Sequence, residues 1–447
     1  MPEAARRIGD KSAGGEGCRK EYTMVSMESK EQLREEFRRR VERNFERLCG
    51  DLYAGEKVFR EASYDWPGDW EGRYLLASVL LRRLTGRETA SFPYLMEHLG
   101  EHTNEYGYFG AATDGNTVSE QQLSGNGWFL RGLCELYADR PEDSLRRRIE
   151  SIVSNLYIKC AELYARYPVS GERARGGVSG NAVEESGGWL LSSDVGCAFI
   201  ALDGVTAAYA LFPSEKLKTF IDGCIQKFLS VDKLAVHMQT HSTLTCCRAI
   251  LRMYRATKEA RYLARAREVF ALYVSHGMTL TYENFNWFGR EDTWTEPCAV
   301  TDSLIAALDL YQATSEAQYL TLARRIWLNG FRLCQRINGG AGPNSCVTVR
   351  NGVWEMRMYE AYFCCTMRTA EGLYRAGEAL DLLLSEADAD ACRAPEQDGC
   401  GRWMCGDRLL CSINGGTLAA LPDIMEVGEE ELKTLRLQIV FPKGEGL

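Results

Sequence analysis

Residues 254–267 read YRATKEARYLARAR and residues 311–324 read YQATSEAQYLTLAR. Nine of the fourteen aligned positions are identical: Tyr, Ala, Thr, Glu, Ala, Tyr, Leu, Ala and Arg. The copies start at 254 and 311, an offset of 57 residues, which suits a unit of two helices and two connections. In each copy the T-x-E-A stretch reads as the turn into the second helix, with Thr as N-cap and an acid in the first turn. Helical periodicity of the same kind runs from about 30 to 385, as in EQLREEFRRRVERNFERL (31–48) and YLLASVLLRRL (74–84). That span divided by the repeat gives about six hairpins. Six hairpins closing on themselves predict an all-α (α/α)6 toroid with a loop-lined funnel at one end.

The flanks differ in texture. Residues 1–29 are mixed and Gly-rich, and are expected to be a disordered lead-in. Strand patterns are nearly absent before Ser385 and begin after it, in LLCSINGGTLAAL (409–421) and LKTLRLQIVFP (432–442). Residues 386–447 therefore read as a short β-rich segment, cut short, whose last strand has no evident partner.

Composition narrows the function. The net charge is −9, with 45% hydrophobic and 26% charged residues. That is a water-soluble globular balance, and it argues against a nucleic-acid partner, which would favour a basic face. The N-terminal MPEAARRIGDKSAGGEGCRKEYT has no apolar core ahead of a cleavage pattern, and no window nears ~18 uncharged apolar residues. A cytoplasmic protein without membrane contact, acting on a small neutral or polar molecule, is the expectation.

There are 17 cysteines, a number that raises the question of what they do. In YEAYFCCTMR (359–368) two are adjacent, just ahead of a helix-like run. They read as small buried apolar residues, as a vicinal disulfide, or as thiolates aimed at one metal. A reducing compartment and the strain on the intervening peptide weigh against the disulfide. In TWTEPCAVTDSLIAALDLY (293–311), Glu296 and Cys298 flank a proline at another helix start. Helix N-termini favour anions, so Glu296, Cys298, Cys364 and Cys365 are all predisposed to ionise. If the two helix starts meet at the loop end, three thiolates and a carboxylate form a tetrahedral zinc set. Buried cysteines remain the alternative. Cys246–Cys247, inside LTCCRAIL, read as core, and Cys400, Cys405 and Cys411 lack the spacing of a zinc knuckle.

Two further stretches are candidates. In TYENFNWFGRED (281–292), Glu283 sits among Tyr282, Phe285 and Trp287, where apolar surroundings would raise its pKa towards that of a general acid. AVHMQTHSTLTCCRAIL (235–251) holds His237 and His241, two of five histidines, one helical turn apart. A structural role and a substrate contact suit them equally.

The order E-N-F, T-E-P-C and then F-C-C resembles glycoside hydrolase family 127, the β-L-arabinofuranosidases and their relatives. The resemblance covers roughly residues 60–385 and extends through EQQLSGNGWFLRGLCELY (120–137) and QTHSTLTCCRAIL (239–251). It implies an (α/α)6 toroid followed by β-domains, and a zinc ion on Glu296, Cys298, Cys364 and Cys365. It further implies Cys364 as nucleophile, Glu283 as acid/base, and a sugar pocket lined by His241; His237, Asn126 and Trp70 are further candidate contacts. Asn126 stands where many relatives have His, and Thr366–Met367 replace prolines common in the family. The implied activity is a retaining exo-glycosidase on a β-L-arabinofuranoside or similar small sugar, possible as a homodimer. Alternatives are an inactive zinc-stabilised carbohydrate-binding or scaffold protein, and another six-hairpin sugar enzyme such as an epimerase or unsaturated uronyl hydrolase.

Overall fold

The structure is a computed structural model that describes residues 27–60, 65–168, 180–390 and 393–439. The expected lead-in lies almost wholly outside the described residues. Helix α1 (Lys30–Leu48) opens the fold behind a capping box. Ser29 Oγ accepts from the Gln32 N–H at 3.3 Å while the Gln32 side chain accepts from the Ser29 N–H at 2.8 Å.

The hairpins alternate outer and inner helices. After α1 come α2 (Asp69–Thr85), α3 (Phe92–His98), α4 (Glu120–Asp139), α5 (Asp143–Ile152), α6 (Ala161–Ala165) and α7 (Leu202–Leu211). Then follow α8 (Glu215–Ser230), α9 (Thr240–Thr257), α10 (Ala260–His276), α11 (Pro297–Thr314), α12 (Ala317–Arg325), α13 (Arg332–Cys334) and α14 (Cys365–Glu378). Helix α2 packs on α4, α4 on α7, α7 on α9, α9 on α11, α11 on α14, and α14 returns to α2. That closed ring of six inner helices is the (α/α)6 toroid. The inner helices are buried nearly all round along most of their length, charged residues such as Arg73, Arg248 and Asp302 included, whereas α1, α8 and α10 bury one stripe.

Close approach in the ring depends on glycine. A Cβ on Gly72 of α2 would lie 2.1 Å from the Phe129 backbone nitrogen, and one on Gly204 of α7 would lie 2.3 Å from the Gly127 carbonyl. The GNG of residues 125–127 is thus a packing surface of α4.

The 57-residue repeat is the step from α9–α10 to α11–α12, whose starts at 240 and 260 recur at 297 and 317. The remaining inner helices start at 69, 120, 202 and 365, because loops at the funnel end vary in length. The repeat's turn is also built differently from the expected N-cap. Thr257 and Thr314 are the last residues of α9 and α11, and each hydroxyl donates back to the carbonyl four residues earlier at 2.8 Å. Each also accepts from the N–H two residues on at 3.2 Å, across a left-handed Lys258 or Ser315. The helix-starting caps are Glu259 and Glu316.

Among the described residues, strands appear in two places. The loops before α4 and α7 form a three-stranded sheet of β1 (Val118–Ser119), β2 (Ala182–Ser186) and β3 (Trp189–Ser192), in the order β1-β3-β2. It embellishes the funnel end, inside the span expected to lack strands. The C-terminal segment supplies β5 (Glu396–Gln397), β6 (Trp403–Cys405), β7 (Arg408–Ile413), β8 (Leu418–Ala420) and β9 (Leu437–Ile439), joined by β4 (Val353–Trp354) from the loop before α14. The order is β4-β9-β7-β6-β5, with β8 on β7. The expected orphan strand therefore has partners on both sides, Trp354 pairing with Leu437 and Ser412 with Gln438. Asn329 ties this sheet to the toroid: its amide donates to the Asp407 carbonyl at 2.9 Å and accepts from the Leu409 N–H at 2.8 Å.

Candidate active site and thiol cluster

The inner helices α2, α9, α11 and α14 present their N-terminal ends to one cavity of about 420 Å³. This is within the range of small-molecule pockets. Glu296 is the N-cap of α11, Pro297 its first residue and Cys298 its second. Cys364 is the N-cap of α14 and Cys365 its first residue. Because α11 and α14 are neighbours in the ring, the two sequence pairs meet.

Cys365 Sγ lies 3.4 Å from Cys298 Sγ and 3.3 Å from Cys364 Sγ. Ligands of a tetrahedral zinc at about 2.3 Å stand about 3.8 Å apart, and the three sulfurs all lie within 4.8 Å of one another. The donor set fits a zinc ion. Glu296 falls in a second, overlapping group, with His241 and Cys298. His241 Nδ1 is 3.1 Å from Glu296 Oε1, and its Nε2 is 3.3 Å from Asp302 Oδ2. Carboxylates thus flank the His241 ring on both sides, with Nε2 itself making no hydrogen bond. Arg73, which donates to both Asp69 oxygens at 2.9 Å, places Nη1 3.6 Å from Cys298 Sγ. Burial pushes the Cys298 and Cys365 thiols well above their ordinary range, so a bound cation is what would hold them as thiolates. Among the described residues every cysteine is a free thiol, which removes the disulfide reading there, and Cys246 and Cys247 are core.

The other expected residues separate. His241 is on the cavity wall with Cys364, Cys365 and Glu296. His237 is not: its backbone is left-handed (φ 45°) and its Nδ1 is 2.7 Å from the Phe288 carbonyl. Asn126 spends its amide on backbone, accepting from the Phe109 N–H at 2.8 Å and donating to the Phe109 and Gln122 carbonyls at 3.0 Å. Trp70 is buried under Tyr53 and the Arg60 guanidinium. None of these three lines the cavity.

Glu283 is fully buried behind the wall. Its carboxylate accepts from Asn344 Nδ2 at 2.7 Å, Thr281 Oγ1 at 2.8 Å and Thr295 Oγ1 at 3.0 Å, and Thr295 does line the cavity. Burial outweighs those three donors and lifts the Glu283 carboxyl to about 7. The folded state thus holds a proton that the unfolded chain releases above its ordinary value of 4.5. The stabilising effect is complete below that value and is lost as pH rises through about 7. Unfolding free energy is expected to fall by about 3 kcal/mol across this window. Glu283→Gln should flatten that slope in denaturant titrations at pH 5 and 8; an unchanged slope would show that the carboxyl titrates normally.

Sequence reasoning missed several wall residues. Asp69, Arg73, Asp194, Gln239, Asn286 and Trp294 all face the cavity. Asn286 and Trp294 stand inside stretches that drew attention for other residues, whereas Asp69 and Asp194 carry no local signal. Beneath them the Trp128 ring stacks on His241 at 5.8 Å, with Arg73 and Arg368 over it at 4.6 and 4.2 Å.

No protein-family model matches the sequence, and no curated protein matches it. Solved structures do share its fold. The cellobiose 2-epimerase of Bacillus thermoamylovorans B4167 aligns over 78% of this chain and 99% of its own, with a TM-score of 0.51 at 13% identity. A sugar epimerase from a ruminal bacterium aligns over 77% and 98%, with a TM-score of 0.52 at 11% identity. A GH127 β-L-arabinofuranosidase from Geobacillus stearothermophilus T6 aligns at 12% identity and a TM-score of 0.46, over 80% of this chain and 65% of its own. At such identities the likeness is one of fold. No helix of the described residues is long and apolar enough to cross a membrane.

Proposed function

We propose that this protein is a sugar-processing enzyme, and specifically a retaining glycosidase that cleaves a β-L-arabinofuranoside or a related small-sugar glycoside with a cysteine nucleophile. The observation that carries the reading is the unequal exposure of the three clustered thiols. Cys364 is half-buried on the cavity wall, while Cys298 is fully buried and Cys365 nearly so.

A zinc ion held by Cys298, Cys364, Cys365 and Glu296 would keep the thiols ionised at neutral pH. The Cys364 sulfur then attacks the anomeric carbon, forming a C–S bond as the C–O bond to the leaving group breaks. A carboxyl group delivers the proton to that oxygen, and the same group, now ionised, takes a proton from the water that releases the sugar and restores the thiolate. Glu283, with its lifted pKa of about 7, is the candidate for that group, acting from behind Thr295. Asp194 and Asp69 are carboxyls on the wall itself.

A panel of p-nitrophenyl glycosides, run with and without added zinc, tests the activity, and elemental analysis should find about one zinc per chain. Glu283→Gln should slow substrates with poor leaving groups far more than activated aryl glycosides. If Asp194→Asn shows that split instead, the acid role passes to Asp194. The placement of Glu283 behind the wall also favours a second reading, a zinc-stabilised carbohydrate-binding or scaffold protein without turnover. Sugar binding with no hydrolysis of any glycoside in the panel would decide for it.

A further inference from the structure

Two residues that line the cavity carry three buried polar atoms with no partner within the protein: Nδ2 and Oδ1 of Asn286 and Oε1 of Gln239. Both residues are deeply buried, at 1% and 4% exposure. Buried amides without partners are rare in folded proteins, and each one left so is costly. The backbone around them is fixed. The Asn286 N–H donates to the Trp294 carbonyl at 3.0 Å, its carbonyl accepts from the Thr240 N–H at 2.9 Å, and Gln239 pairs with Trp287 in an antiparallel bridge. The Gln239 amide is oriented by its other end, since its Nε2 donates to Glu296 Oε2 at 3.4 Å and leaves the oxygen as a free acceptor.

Resting on the sugar-enzyme reading above, we propose that Asn286, with Gln239 beside it, is the hydroxyl-recognition subsite that reads two adjacent hydroxyls of a furanose or pyranose. A primary amide offers one acceptor and two donors from a planar group, which matches a vicinal diol: one hydroxyl accepts from Nδ2 while its neighbour donates to Oδ1. Gln239 Oε1 accepts from a further hydroxyl. A site built around such bonds discriminates strongly against an analogue lacking one of them, because its own polar atoms then stay unpaired.

The test measures binding of L-arabinose, D-glucose and D-mannose, and of the 2-deoxy forms of L-arabinose and D-glucose, to the full-length zinc-loaded protein by calorimetry and saturation-transfer NMR. At least one of the parent sugars should bind, and Asn286→Ala should weaken it by about tenfold or more. Loss of the 2-hydroxyl should weaken binding to the natural protein and matter much less in Asn286→Ala. Without sugar, Asn286→Leu should raise Tm by a few degrees, since it removes an amide that stabilises nothing. Equal sugar affinity in the natural protein and Asn286→Ala overturns the subsite and leaves the sugar reading standing. A lower Tm for Asn286→Leu overturns it too, showing a structural amide. Failure of all the parent sugars to bind the natural protein overturns the sugar reading, and this subsite with it.

Discussion

Cys364→Ser is expected to abolish glycoside turnover, by roughly a thousandfold or more, because a serine hydroxyl at neutral pH is a far weaker nucleophile than a metal-held thiolate. The fold should survive, since the oxygen replaces a half-buried sulfur at a helix N-cap, where serine is favoured. Metal should be partly retained, because Cys298, Cys365 and Glu296 are untouched. Cys365→Ser should act differently: this sulfur sits between the other two, at 3.4 and 3.3 Å, so its loss should show first as lost zinc. Excess zinc should recover part of the activity of Cys365→Ser and none of that of Cys364→Ser. Circular dichroism and zinc analysis on both variants separate misfolding from chemistry. Should both variants hydrolyse glycosides at near-natural rates, the thiols are a structural clasp and the nucleophile lies elsewhere.

The second large effect lies beneath the cavity. Asp302 on α11 is fully buried and accepts from Arg248, Arg368 and, at 2.7 Å, Thr245, while His241 Nε2 lies 3.3 Å away without a hydrogen bond to it. Arg248 and Arg368 continue to Glu371, which also meets Arg131, and Arg131 and Arg252 reach Asp203. This network crosses α4, α7, α9, α11 and α14 inside the ring, where a hydrophobic core would ordinarily lie. Burial would raise the Asp302 carboxyl, but Arg368 and Arg248 outweigh it and hold it below its ordinary value. Asp302→Ala removes one of the two buried carboxylates that Arg248 and Arg368 share, leaving only Glu371, and is expected to cost about 3 kcal/mol in denaturant unfolding. That is a large part of the stability of an ordinary domain, which is about 5–15 kcal/mol. Arg265→Ala, which breaks an exposed pair with Glu268 of 2.8 Å, should change stability by less than about 1 kcal/mol. A cost for Asp302→Ala no greater than that of the surface control would mean that water or neighbouring groups replace the carboxylate, and that the network is not held together by it.

The helical hairpins were legible because periodicity and turn chemistry are properties of the chain itself. Two copies of Y-x-A-T-x-E-A-x-Y-L set the pairing of α9–α10 and α11–α12, and helical periodicity marked the span from about 30 to 385. The sequence placed Cys298, Cys364 and Cys365 at helix starts, but that these starts meet comes from α11 and α14 being neighbours in the ring. The direction in which a side chain points across a ring of helices is not written in its neighbours. Glu283 and Asn286 are three residues apart in one loop, yet the first is enclosed by Thr281, Thr295 and Asn344 while the second faces the cavity with no partner. Asn126, expected through the family resemblance as a sugar contact, has its amide tied to the Phe109 backbone. The partners of β9 are residues 353–354 and 411–413, the former more than eighty positions away, so no local pattern could supply them. Local sequence therefore decided which segments are helices and which residues stand at their starts. Tertiary packing decided which polar groups are satisfied inside and which remain open to a ligand, because that depends on partners brought together only when the ring closes.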